Sequence, residues 1–131
     1  MKNPLNILIA DDSPFIVSRL KAILGDLDYV KVVGEASNGN EVMDFFSTLI
    51  PDVVLLDITM PGMNGMDVLS GLRKEFADVK IIMLTNHSNP MIRTLCMNLG
   101  AAYFFDKSTE IEKLADALHE LYSVASNVCH D

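Results

Sequence analysis

The sequence predicts a single α/β domain in which a parallel five-stranded sheet is wound with helices on both faces. Five short apolar runs alternate with five longer segments that have helical periodicity. Several of the short runs are apolar throughout, as in strands buried on both sides of a parallel sheet. The chain has 131 residues, of which 50% are hydrophobic, which suits one domain with its own core. We therefore expect a doubly wound α/β fold.

The strands and helices are placed by these patterns. Strands are expected at 5–10, 31–36, 52–56, 79–84 and 102–105. Helices follow them, with buried faces formed by Ile16, Val17, Leu20, Ile23, Leu24 and Leu27; by Val42, Phe45, Phe46 and Leu49; by Val68, Leu69, Leu72 and Phe76; by Ile92, Leu95, Cys96 and Leu99; and by Ile111, Leu114, Ala115, Leu118, Leu121 and Tyr122.

Local sequence also marks where helices begin and end. Four helix starts combine a capping side chain with a proline or with a later glutamate: Ser13 with Pro14, Asn89 with Pro90, Asn38 with Glu41, and Thr109 with Glu112. Gly100 stands where the fourth helix should end. The domain is expected to span 1–123, and 124–131 to form a frayed tail.

Composition excludes several classes of protein. The formal net charge is −8, and an acidic domain repels the phosphates of nucleic acids, so direct DNA or RNA binding is not expected. Cys96 and Cys129 form no C-x-x-C pair, which argues against a disulfide framework or a zinc site. No apolar run is long enough to cross a bilayer, and no signal-peptide core precedes Asp11. A cytoplasmic protein with no membrane contact is expected.

Five polar residues follow four of the predicted strands at their carboxyl ends. They are Asp11 and Asp12, Asp57, Thr85, and Lys107. In open parallel sheets ligands bind at this edge, so the five side chains should meet there. Clustered carboxylates favour Mg²⁺, and a lysine and a hydroxyl can bind phosphoryl oxygens. Each residue alone is more typical of a turn or a helix cap; together they suit phosphoryl transfer.

Four stretches of sequence carry a family resemblance. They are Ile-Leu-Ile-Ala-Asp-Asp-Ser at 7–13, Asp-Ile-Thr-Met-Pro-Gly-Met-Asn-Gly at 57–65, Met-Leu-Thr at 83–85, and Gly-Ala-Ala-Tyr-Phe-Phe-Asp-Lys at 100–107. Over about residues 5–122 the chain resembles the receiver domains of two-component response regulators, of the chemotaxis-regulator kind. The resemblance implies a flavodoxin-like (βα)5 fold and a phosphorylation switch.

The resemblance also implies a role for each site residue. Asp57 would accept a phosphoryl group from the phosphohistidine of a sensor histidine kinase or a histidine phosphotransfer protein. Asp12, Asp57 and the backbone carbonyl of Thr59 would ligate Mg²⁺, with Asp11 holding the ion mainly through water. These roles make Mg²⁺ the expected cofactor.

Three further residues are implied to change position or contacts on phosphorylation. Lys107 would pair with the phosphoryl oxygens, and Thr85 would swing toward them. Phe104 stands at the switch aromatic position, whose ring turns inward as Thr85 moves. The face formed by the fourth helix, the fifth strand and the fifth helix would then change shape for a partner.

The chain departs from the common receiver pattern at a few positions. Ser108 follows Lys107 where many relatives have proline, which leaves open whether that peptide bond is cis. Phe104 lacks the hydroxyl of the more frequent tyrosine, so its ring can donate no hydrogen bond. Asn86, with Thr59 and His87, should influence how fast water removes the phosphoryl group, in a direction that the residue types leave open.

Two other functions compete with the signalling switch. A small phosphatase of the haloacid dehalogenase type also uses an aspartate nucleophile and Mg²⁺, but it usually has a second aspartate where this chain has Thr59. A pseudo-receiver would fold without being phosphorylated, which the complete residue set argues against. We expect a switch rather than an enzyme. Its output would come through a separate protein partner, with Met91 and Ile92 as candidate contacts, or through an output domain; the short tail favours a stand-alone protein.

Overall fold

The computed structural model describes residues 3–62, 64–86 and 88–128, with side chains described up to residue 124. Along the chain the elements are β1 Leu5–Ala10, α1 Pro14–Gly25, β2 Val30–Ala36, α2 Gly39–Phe46, β3 Val53–Asp57, α3 Gly65–Glu75, β4 Lys80–Thr85, α4 Pro90–Asn98, β5 Tyr103–Asp106, a 3₁₀ turn at Ile111–Lys113, and α5 Leu114–Val128. The strands form one sheet in the order β2-β1-β3-β4-β5, and every neighbouring pair is parallel. The doubly wound α/β fold is confirmed.

The sheet separates two apolar cores. Alternate residues of the inner strands enter opposite cores: Leu8, Val54, Leu56, Ile81 and Met83 pack with residues of α2, α3 and α4, whereas Ile7, Ile9, Val53, Leu55, Ile82 and Leu84 pack with residues of α1 and α5. Both faces of the inner strands are therefore buried, which explains why their sequences are continuously apolar. Among the residues described, no helix is long and apolar enough to span a membrane.

The predicted boundaries of strands and helices are close to those observed. The first strand is as predicted, and the others begin or end within one residue of the prediction. The Ser13, Asn38 and Asn89 side chains each accept a hydrogen bond from the backbone N–H three residues on, as expected for helix caps. Gly100 has φ +109° and follows the end of α4.

Several local predictions were wrong. Thr109 and Glu112 form no capping box: the chain enters α5 through the 3₁₀ turn, which has no side-chain cap. Helix α2 ends at Phe46, so Leu49 lies outside it and is exposed. Leu95 was expected on a buried face but is also exposed.

The C-terminal helix is longer than expected. It continues to Val128, so the backbone of 124–128 is helical and does not form the predicted frayed tail. Met63, His87, Cys129 and His130 lie outside the described residues. The division of the chain at residue 123 stays a prediction.

Gly65 brings the start of α3 against the residues that follow β3. Its N–H donates to the Ile58 carbonyl at 2.8 Å. A Cβ at this position would collide with the backbone oxygen of Asp57 and lie 2.6 Å from Ile58 Cα. Only glycine fits this approach, because the neighbouring atoms are backbone and cannot rotate away. Gly65 thereby helps to fix the backbone at Asp57.

We expect Gly65→Ala to lower the free energy of unfolding by about 1–3 kcal/mol, because the added methyl group forces the backbone apart. Urea unfolding followed by circular dichroism measures the change. Gly71→Ala in the same helix is the matched control, since an added Cβ there meets nothing within 4 Å. It should stabilise the protein by about 0.5–1 kcal/mol through helix propensity. Equal effects of the two substitutions would contradict this account of Gly65.

Candidate functional site

Four buried polar residues meet at the carboxyl edge of the sheet. Asp11 directly follows β1, Asp57 ends β3, Thr85 ends β4, and Lys107 directly follows β5. These strands are neighbours in the order β1-β3-β4-β5 and run in the same direction, so their last residues lie side by side. Buried polar side chains in an apolar sheet need partners, and Asp11, Asp57 and Lys107 find them in one another.

Lys107 connects the acidic residues. Its ammonium forms an ion pair with the Asp11 carboxylate and lies 3.2 Å from Asp57 Oδ1. The Lys107 side chain is only 3% exposed, and its backbone N–H donates to the Thr85 carbonyl at 2.7 Å. The lysine is therefore held at both its backbone and its charged end.

The acidic cluster has more negative charge than Lys107 can neutralise. One carboxylate oxygen from each of Asp11, Asp12 and Asp57 lies within 4.8 Å of the others, and Asp12 is exposed to solvent. Among the described residues, the cluster sets three carboxylates against the one ammonium that pairs with any of them, an excess of two formal negative charges. A set of carboxylate oxygens open to water on one side suits a divalent cation that retains some of its hydration, as Mg²⁺ does.

Burial raises the pKa of the Asp57 carboxyl group above its ordinary value. The Lys107 ammonium opposes this shift, and the negative charge of Asp11 adds to it. The backbone N–H of Thr59 also donates to Asp57 Oδ1, at 3.2 Å. Raised pKa values are common where a protein keeps an ionisable group in a reactive setting.

The remaining predicted site residues differ in their burial. Thr85 is buried, whereas Thr59 and Asn86 are exposed, and His87 lies outside the described residues. Phe104 is buried, with 2% of its surface exposed. The expected convergence of Asp11, Asp12, Asp57 and Lys107 is therefore observed, and the individual roles remain predictions. All described peptide bonds are trans, including the one between Lys107 and Ser108.

Sequence reasoning missed Asp106, the residue before Lys107. Its carboxylate accepts hydrogen bonds from the Ser108 hydroxyl and N–H and from the Ser88 hydroxyl, at 2.5, 2.8 and 2.9 Å. These bonds, those from Ser108 first, hold the pKa of Asp106 well below its usual range. The order Asp-Lys-Ser is a local signal for an aspartate that binds the backbone two residues on. The bond to Ser88 has no such signal, because 18 positions separate the two residues.

Comparison with known proteins places this geometry in a family. The family model described as "Response regulator receiver domain" matches residues 7–119. The chain is 35% identical over 127 residues to the response regulator UvrY of Escherichia coli (strain K12), covering 97% of this chain and 58% of UvrY. It is 36% identical over 121 residues to the nitrate/nitrite response regulator protein NarL of the same strain, covering 91% of this chain and 55% of NarL. The chain thus spans little more than half the length of these curated relatives.

Solved structures agree with the sequence matches. The signal receiver domain of a NarL response regulator from Mycobacterium tuberculosis superposes with a TM-score of 0.84 at 27% identity, over 92% of this chain and 98% of that one. The isolated receiver domain of RcsB from Salmonella enterica serovar Typhimurium, in the presence of phosphomimetic BeF3-, superposes with a TM-score of 0.82 at 27% identity, over 90% of each chain. With the family model, the relatives and the shared fold in agreement, the chain belongs to the receiver domains of two-component response regulators.

Proposed function

We propose that this receiver domain is a phosphoacceptor switch in which Asp57 takes a phosphoryl group from a phosphohistidine. The donor would be a sensor histidine kinase or a histidine phosphotransfer protein. One observation carries the proposal: the Lys107 ammonium lies between the buried carboxylates of Asp11 and Asp57 at the carboxyl edge of the sheet. A carboxylate beside a buried cation has both a nucleophile and a charge partner for the incoming group.

The proposed reaction transfers one phosphoryl group. An Asp57 carboxylate oxygen forms a bond to phosphorus while the bond from phosphorus to the donor imidazole nitrogen breaks. The electron pair of that bond stays with the imidazole, which takes up a proton. The product is an acyl phosphate on Asp57. Lys107, paired with Asp11 and Asp57 beforehand, is in place to neutralise the new phosphoryl oxygens.

Mg²⁺ fits the acidic cluster beside Asp57. Asp12, Asp57 and the carbonyl of Thr59 would hold the ion, and Asp11 would hold it mainly through water. The close approach of the three carboxylates and the exposure of Asp12 support this arrangement. When bound, the ion supplies positive charge to the oxygens of the group in transfer.

The phosphoryl group would act as a switch because it changes the charge at Asp57. It replaces one negative charge by nearly two and adds oxygen acceptors. Thr85 and Lys107 would bind these oxygens better in one arrangement of the domain than in another, which shifts the balance between the two. The ring of Phe104, which is already buried beneath α4, would stay inward once Thr85 binds the phosphoryl oxygens. The face formed by α4, β5 and α5 would then change its affinity for a separate protein or for an output domain.

A switch explains the site better than the competing enzyme does. The haloacid dehalogenase phosphatases usually place a second aspartate where this chain has Thr59, whose side chain is exposed here. We therefore propose self-catalysed phosphotransfer and slow hydrolysis rather than turnover of external substrates. A cytoplasmic location and no direct contact with nucleic acid or membrane complete the proposal.

Incubation of the chain with acetyl phosphate and Mg²⁺ should add the mass of one phosphoryl group, because the small donor substitutes for phosphohistidine. Intact mass spectrometry measures the product. Asp57→Asn should abolish the gain, whereas Asp78→Asn, an exposed carboxylate before β4, should leave it unchanged. Persistence of the modification in Asp57→Asn would contradict the assignment. Rapid turnover of phosphate esters would favour the enzyme, and an unmodified wild type would favour the pseudo-receiver.

Mg²⁺ should raise the thermal midpoint of the wild-type protein, because an ion that binds only the folded state stabilises it. At an ion concentration ten times the dissociation constant the gain is about 1.4 kcal/mol. Asp12→Asn should lose most of this gain with little effect on metal-free stability, since Asp12 is exposed. Asp78→Asn is again the control. Equal Mg²⁺ stabilisation of all three proteins would place the ion elsewhere.

A further inference from the structure

Arg93 joins α4 to the end of β5 through two hydrogen bonds. Its Nη1 donates to the Phe104 carbonyl at 3.0 Å, and its Nη2 donates to Glu110 Oε1 at 3.0 Å in an ion pair. The planar guanidinium group makes such a two-pronged contact in a fixed geometry, which a lysine cannot reproduce. Arg93 therefore ties a helix to a strand and to the segment that follows it.

Glu110 extends this connection toward the proposed site. The same Oε1 that binds Arg93 also accepts the backbone N–H of Asp106, at 3.0 Å. The Glu110 backbone N–H donates to the Asp106 carbonyl at 2.8 Å. Asp106 directly precedes Lys107. The position of Arg93 is thus coupled, through one carboxylate, to the backbone that carries the lysine.

Arg93 also covers the ring of Phe104. Its guanidinium carbon lies 4.8 Å from the ring centroid, within the range of a cation–π interaction. The Phe104 ring is buried in the core beneath α4, whereas the Arg93 side chain is 45% exposed. The arginine therefore lies between the ring and solvent. Outward movement of the ring would break this cation–π contact.

We propose that Arg93 is a positioning residue for the phosphotransfer described above. It holds the Phe104 ring inward and fixes the end of β5, so that Lys107 stays between Asp11 and Asp57. The inference rests on the proposed function, because Phe104 and Lys107 matter here only through the reaction of Asp57. It adds the residue that sets both positions before any phosphoryl group arrives, and it links them to the position of α4.

A positioning role for Arg93 differs from a purely structural one in its effect on Mg²⁺ binding. The acidic cluster is built from two residues that follow β1 and the last residue of β3, whereas the hydrogen bonds of Arg93 go to Phe104 and Glu110. Loss of Arg93 should therefore lower the rate of phosphorylation without lowering the affinity for Mg²⁺. A general loosening of the domain would weaken both.

The test compares the wild type with Arg93→Met and Arg93→Lys, using acetyl phosphate at saturating Mg²⁺. We expect the first-order rate of phosphorylation to fall about three- to tenfold in Arg93→Met, as the population with an inward ring and a fixed lysine decreases. The rate of Arg93→Lys, which keeps the charge but not the two-pronged guanidinium contact, should lie between those of the wild type and Arg93→Met. Arg19→Met, an exposed arginine of α1, should match the wild type. The Mg²⁺ dissociation constant should rise by no more than about twofold in any of the variants, because the carboxylates themselves stay in place.

A second readout needs no phosphoryl donor. Amide hydrogen exchange at Asp106 should become about tenfold faster in Arg93→Met, because Glu110 loses the partner that holds it against this N–H. An unchanged phosphorylation rate or an unchanged Asp106 exchange rate would overturn the inference while leaving the proposed function intact. A parallel loss of Mg²⁺ affinity would also overturn it. A wild type that takes up no phosphoryl group would contradict the proposed function itself, and the inference with it.

Discussion

The buried ammonium of Lys107, placed between the carboxylates of Asp11 and Asp57, is the interaction on which the rest of the site depends. A charged group inside a protein is stable only when opposite charges and hydrogen bonds replace the lost water. Each buried group therefore requires the charge of its partners: Lys107 requires the two carboxylates, and the carboxylates require the ammonium. This mutual requirement brings together the ends of β1, β3 and β5, which are far apart in the sequence. The parallel sheet satisfies it because all its strands end at one edge.

The positive charge of Lys107 offsets only part of the negative charge of the acidic cluster. Among the described residues, Lys107 is the one cation that forms ion pairs with carboxylates of the cluster, and burial raises the pKa of Asp57 above its ordinary value. Such a site favours the binding of a cation, and the bound cation in turn favours the binding of an anion. A cluster neutralised by a second lysine would be more stable and would have no use for a metal ion. An excess of negative charge destabilises the folded state, and binding of a cation would relieve it. Arg93 and Glu110, on the far side of β5, hold the lysine in this unbalanced arrangement.

Much of this architecture was predictable because parallel sheets give strong signals. Continuously apolar strands identified the fold, and the polar residues after them identified the site without any knowledge of distances. The end of β3 was missed by one residue, because Asp57 is both the last residue of the strand and a member of the site. The 3₁₀ turn before α5 was not predicted. Glu110 stands at its start in place of Thr109, and the Glu110 side chain accepts the N–H of Asp106 rather than capping the turn. The Arg93 contacts were invisible in the sequence, since a side chain that binds a distant backbone carbonyl leaves no periodic pattern.

A crystal structure of this chain with Mg²⁺ and beryllium trifluoride, the phosphomimetic used with the RcsB receiver domain, would test most directly whether Asp57 accepts a phosphoryl group beside Lys107. We expect the beryllium atom to be bonded to an oxygen of Asp57, with the metal ion among Asp11, Asp12 and Asp57. The Lys107 ammonium should have moved from Asp11 to a fluorine. A structure in which the trifluoride avoids Asp57, or in which Lys107 stays paired with Asp11 while the metal binds elsewhere, would contradict this expectation.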